Sequence, residues 1–112
     1  MRNMVMLPDP RKVALRTYHA AEDKRREFND LVYKLEPAVA ELLTNRVEAA
    51  AAKGEWGVIV ECPAGVDLAA FRLAAKRVSP AGYVFDENQP HHGVRLSWVA
   101  YREAVVKDLM RI

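Results

Sequence analysis

The sequence predicts an α+β domain: two N-terminal helices, then a small three-stranded sheet with helices packed on it, in the order α, α, β, α, β, β, α. Three observations carry this reading. Apolar residues keep helical spacing from Asp9-Pro10 to an alanine run closed by Gly54. Trp56-Gly57-Val58-Ile59-Val60-Glu61-Cys62 then switches to a period of two. Two further short β-type segments, Tyr83-Val84-Phe85 and Val94-Arg95-Leu96-Ser97-Trp98, flank a polar loop.

Asp9-Pro10 marks the start of the first helix, because aspartate can accept from free backbone amides and proline suits the first helical position. Residues 1–9 precede any element and are expected to be flexible. Nothing breaks a helix from there to Leu35. Val13, Tyr18, Ala21, Phe28, Leu31, Val32 and Leu35 follow its spacing, with the stripe thinned by Glu22-Asp23-Lys24-Arg25-Arg26-Glu27. A helix over 10–35 is about 39 Å long, more than a small domain covers, so part of it is expected to project or to meet another chain.

Pro37 either opens a second helix or kinks a continuous one, and two helices are the favoured expectation. Val39, Leu42, Leu43, Val47 and Ala50 form the stripe of the second, with Gly54 as its C-terminal cap. In the strand that follows, Trp56, Val58, Val60 and Cys62 share one face. Pro63-Ala64-Gly65 reads as a turn and Asp67 as an N-cap. Leu68, Phe71, Ala74, Ala75 and Val78 make the apolar side of a third helix, ended by Ser79-Pro80-Ala81-Gly82. The two later strands form a hairpin around Asp86 to Gly93. A last amphipathic helix from Ala100 to Ile112 would bury Val105, Val106, Leu109 and Ile112. Trp56, Val58, Val60, Phe85, Leu96 and Trp98 are expected to share the core.

With 112 residues the chain fits one domain, and no linker or internal repeat divides it. Its 51% apolar and 29% charged residues are those of a folded globular protein. No apolar run reaches the roughly 20 residues of a membrane span. The N-terminus lacks the apolar stretch and cleavage site of a signal peptide, so no membrane partner and an intracellular location are expected. A single cysteine fits a reducing compartment. The net charge of +2, with signs interspersed, gives nucleic-acid binding little compositional support.

Residues able to do chemistry are few. Cys62, among alternating apolar neighbours, reads as a buried strand thiol. His91-His92 near Asp86 and Glu87 could touch a metal, but adjacent side chains diverge and no third ligand follows at a recognised spacing. His19 reads as a helix-surface residue. Cys62 could meet His91 or His92 only if the loop folds back, and Ser97 alternates with Leu96 and Trp98 away from any base. Gly54 and Gly57 flank a strand start and do not form a phosphate loop. The expectation is therefore no catalytic residues, no metal and no cofactor.

Two surfaces stand out. Phe28, Leu31, Val32 and Leu35 on the long first helix are candidates for a protein interface, including self-association; the plainer alternative is ordinary packing on the second helix. Arg72, Lys76 and Arg77 on the third helix, followed by a hairpin, suggest a winged-helix-like DNA binder as the alternative function. Only one uninterrupted helix fits between Gly65 and Gly82, however, and a wing beginning Asp86-Glu87 is a poor match for phosphate.

From Ala50 onward the string Ala50-Ala51-Ala52-Lys53-Gly54-Glu55-Trp56, with Val58, Val60, then Gly82-Tyr83-Val84-Phe85 and Val94-Arg95-Leu96-Ser97-Trp98, resembles a pattern in small proteins of tailed bacteriophages. There an alanine-rich helix end and a glycine precede a strand, then a helix, a Gly-Tyr strand start and a strand ending in Ser-Trp. The likeness covers about half the chain. It implies a non-enzymatic phage component, either part of a virion or an accessory protein that binds a host protein in the host cytoplasm.

Overall fold

The computed structural model describes residues 6–86 and 92–111. It shows helices with a small three-stranded antiparallel sheet: α1 Pro10–Ala52, β1 Gly57–Glu61, α2 Leu68–Val78, β2 Val84–Asp86, β3 Gly93–Ser97, a 3₁₀ turn Val99–Tyr101, and α3 Arg102–Leu109.

Local chemistry sets most of these boundaries. The Asp9 carboxylate accepts from the Arg11 N–H at 3.0 Å and Pro10 begins α1. At the other end Glu55 N–H donates to the Ala50 carbonyl and Gly54 N–H to that of Ala51, with Gly54 at φ +81. This 6→1 and 5→2 pairing is a Schellman ending, which needs the left-handed backbone glycine tolerates. Asp67 caps α2 by accepting from Ala70 N–H at 2.9 Å, and the Ser79 hydroxyl, bonded to the Ala75 carbonyl at 2.7 Å, closes it.

The expected pair of N-terminal helices is in fact one helix of 43 residues that runs through Pro37. Proline inside a helix costs about 3 kcal/mol. Val32 before it and Val39 and Leu43 after it are all buried in one core. Each such burial contributes roughly 1.5–3 kcal/mol, so the packing outweighs the penalty. Pro37 itself is exposed, and the carbonyl of Tyr33, which has no i+4 amide to meet, belongs to an exposed residue that water can reach.

The sheet has the order β1-β3-β2, both pairs antiparallel, with Val58 opposite Leu96 and Phe85 opposite the same Leu96. Trp98 N–H to the Trp56 carbonyl and Cys62 N–H to the His92 carbonyl extend the β1–β3 pairing at each end. The period-two reading holds: Val60, Cys62, Val94 and Leu96 face inward, while Ile59, Glu61 and Arg95 are exposed. The inward face is covered by α1 and α2, whose own contact is through Val32, Val39, Leu43, Ala70, Phe71, Ala74 and Ala75. Gly93 is required in β3, because an added Cβ would collide with the Val60 carbonyl.

Two expectations about the core are corrected. Trp56 and Trp98 are only half-buried and stand outside the central cluster, which Val58 and Phe85 flank. The last helix is shorter than Ala100 to Ile112 and buries none of its residues; Val105, Val106 and Leu109 are exposed, and Ile112 lies outside the described residues. The cause is common to both. α1 and α2 already occupy the inward face of the sheet, leaving no room there for α3 and ending short of the tryptophans.

The first half of α1 projects. From Pro10 to Glu27 every residue except Glu22 is exposed. The radius of gyration is 22.1 Å and the longest extent 92 Å, against about 13 Å expected for the radius of a compact chain of this length. Replacing Pro37 by alanine restores the amide and should raise stability toward urea by up to about 3 kcal/mol with unchanged circular dichroism. A loss of stability would show instead that the proline sets the seating of α1 on the core.

Candidate binding cleft

The inward-facing positions of the three strands run past the cover of the helices at one end of the sheet. Continuing the register by one step sets Trp56 opposite Trp98 and Tyr83 beside Trp98. These three aromatic residues form a cross-strand row next to Val58, Leu96 and Phe85. α1 ends at Ala52 and α2 at Val78, so the row lies at the mouth of the core and not within it.

A cleft of about 460 Å³ opens there, within the size range of small-ligand and peptide sites. Val47 and Ala51 of α1 form one wall, Pro80-Ala81-Gly82 the floor, and Tyr101 with Val105 the far wall. A smaller crevice of about 170 Å³ continues it between α1 and α2, sharing Val47, Pro80 and Tyr83 and reaching Glu48. Tyr83 and Trp98 meet edge to face, centroids 6.1 Å apart. Gly82 adopts φ +114, and a Cβ there would collide with the Tyr101 hydroxyl, so glycine allows that ring to close over the floor.

The chemistry of the cleft is one-sided. No charged residue lines it. Both tryptophans of the chain and two of its four tyrosines do. Among the described residues, neither indole N–H nor either tyrosine hydroxyl has a hydrogen-bond partner, and no buried side-chain donor is left unpaired. The polar atoms of Trp56, Tyr83 and Trp98 are therefore not fully buried, and Tyr101 is itself exposed. A ligand that fits offers flat apolar surface to the rings and carbonyl oxygens to the donors.

The residues singled out from sequence lie elsewhere. Val32 has no exposed surface, Phe28 and Leu35 pack against the same core, and Leu31 is exposed. Arg72 reaches across to donate from Nε to the Gly93 carbonyl at 3.0 Å, tying α2 to β3. Arg77 stands 3.7 Å from the Glu36 carboxylate, and Lys76 is exposed on α2. The sequence reading expects Trp56 and Trp98 in the core and Tyr83 only at the start of a strand. Tyr101 and Gly82 carried no local signal, since their meeting depends on how the 3₁₀ turn folds back.

Cys62 is buried, with its thiol directed at the Val66 carbonyl 3.3 Å away. Burial pushes its pKa up, the nearby Asp67 carboxylate adds to this, and Arg72 opposes it in part. Its backbone meets His92, whose residue is exposed; His91 and Glu87 lie outside the described residues. Among the described residues no three His, Cys, Asp or Glu side chains gather as a metal site, and no helix is long and apolar enough to cross a membrane.

Comparison with protein-family models, curated proteins and solved structures finds no match to this chain.

The raised thiol pKa has a consequence for stability. The folded chain holds the thiol proton to higher pH than the unfolded chain does. That contribution is fully present below the unfolded value and is lost as pH rises through the folded one. Urea unfolding should therefore show the wild-type chain losing stability more steeply than Cys62→Ser above the ordinary thiol range. Parallel pH profiles would contradict the burial argument.

Proposed function

We propose that the chain is a protein-interaction module whose cleft at the end of the sheet takes an extended, proline-containing segment with apolar side chains. The observation that carries this is the gathering of Trp56, Tyr83, Trp98 and Tyr101 around an uncharged groove with their donors unengaged. Proline rings stack well on aromatic faces, a polyproline conformation has little entropy to lose on binding, and its carbonyls are free acceptors. Neither a nucleophile with a base nor a phosphate cradle lies in the cleft to support chemistry there.

The resemblance to small tailed-phage proteins fits the same reading and supplies its setting: a component of the virion, or an accessory protein that engages a host protein in the cytoplasm. The nucleic-acid alternative receives less support, because Arg72 is held by the Gly93 carbonyl and Arg77 faces Glu36.

The test uses the two tryptophans as reporters, both being in the cleft. At low protein concentration, a proline-rich decapeptide should shift and saturate their emission. Tyr101→Ala, at a position 51% exposed and hence harmless to the core, should weaken that binding by about tenfold or more, the scale of an aromatic anchor. Trp98→Ala should abolish it. An unchanged emission with every proline-containing peptide, or equal affinity in Tyr101→Ala, would refute the assignment.

A further inference from the structure

We infer that the segment which docks in the cleft is the N-terminal tip of a second copy of this chain, so that two copies lie antiparallel and each seats its tip in the other's cleft. This rests on the peptide-binding reading above and names its partner.

The tip has the form the cleft asks for. Leu7-Pro8-Asp9-Pro10 carries two prolines, and Asp9 sits at φ −56, ψ 124, close to polyproline geometry. Met6 and Leu7, both large and apolar, are 80% and 92% exposed.

Charge agrees. Asp9 caps α1, but the first turn behind it contains Arg11 and Lys12 and no acidic residue. Between Pro10 and Ala21 there are three cations and no anion. Glu48 lines the crevice that continues the cleft, Glu55 adjoins Trp56, and the last turn of α1 has no basic residue. The tip end of α1, with Arg11, Lys12 and Arg16 against Asp9, carries net positive charge, and Glu48 and Glu55 stand near the cleft to meet it. An antiparallel partner brings the two together.

Geometry excludes the chain's own tip. The helix from Pro10 to Val47 holds tip and cleft about 56 Å apart. Two antiparallel copies related by a two-fold axis bring each tip to the opposite cleft with a single self-complementary contact, and the assembly closes as a dimer. The projecting halves, with Val13, Leu15 and Tyr18 exposed, then run beside the partner in place of standing in water.

Sedimentation equilibrium with tryptophan emission tests this on the full chain. The wild type should dimerise with a dissociation constant that rises with salt. Pro8→Ala combined with Arg11→Glu and Lys12→Glu should weaken dimerisation by about tenfold or more. Those acidic residues favour the helix start, so the loss is not one of folding. Tyr101→Ala should weaken it similarly. An equimolar mixture of the tip variant and Tyr101→Ala should associate more tightly than either alone, since one native tip meets one native cleft. A peptide of residues 6–12 should shift the tryptophan emission and compete with dimerisation. A monomer at all concentrations, or a dimer indifferent to both variants, overturns the inference. If the 6–12 peptide is silent while the proline-rich decapeptide still binds, the second copy is the wrong occupant and the cleft assignment survives. If both peptides are silent, both fail.

Discussion

The contact between α1 and α2 governs the rest of the molecule. On α1 it uses Val32, Val39, Leu43 and Ala50, spaced seven, four and seven residues apart along one face. On α2 it uses Phe71 with Ala70, Ala74 and Ala75, none of which retains exposed surface. Three alanines let the backbones approach closely and Phe71 fills the space that remains. This contact carries α1 across Pro37, supplies the cover for Val60, Val94 and Leu96, and by ending near Ala52 and Val78 leaves the last row of the sheet open. It also begins only at Phe28, and this is why the preceding two-fifths of α1 stand alone.

Legibility from sequence followed the range of the interactions. The caps at Asp9 and Asp67, the glycine at 54, the period-two strand and the hairpin are local features, and each lies where residues a few positions apart place it. Continuity through Pro37 was not local, because the proline penalty is visible in one residue while the packing that exceeds it comes from α2. The tryptophans were assigned to the right face of the sheet but to the wrong depth, since depth depends on where two helices in other parts of the chain stop. Tyr101 over Gly82 could not be read at all: the pair is 19 positions apart and meets through a turn whose direction no motif announces.

The same division explains the functional surfaces. Candidate interface residues on α1 were chosen for being apolar, and apolarity is what the core recruits; Val32 belongs to it wholly. Arg72 was chosen for charge, yet a half-buried guanidinium beside a strand carbonyl is a tie between elements. What distinguishes the cleft is a combination: aromatic surface, unengaged donors, no charge, and a glycine whose missing side chain lets Tyr101 reach the floor. A groove of this kind discriminates by shape and by the acceptors a ligand brings.

The central claim is that one continuous helix is anchored over its second half and unsupported over its first. Native-state amide hydrogen exchange, measured at concentrations where the chain is monomeric, tests it directly. Amides from Val32 through Ala50, Pro37 excepted, should exchange slowly and as a unit with α2, while those from Val13 through Glu27 should exchange near the rate of an isolated helix. A break in protection at Pro37, with the residues before it as fast as the tip, would contradict the anchoring contact. Slow exchange along the whole of α1 in the monomer would contradict the projection.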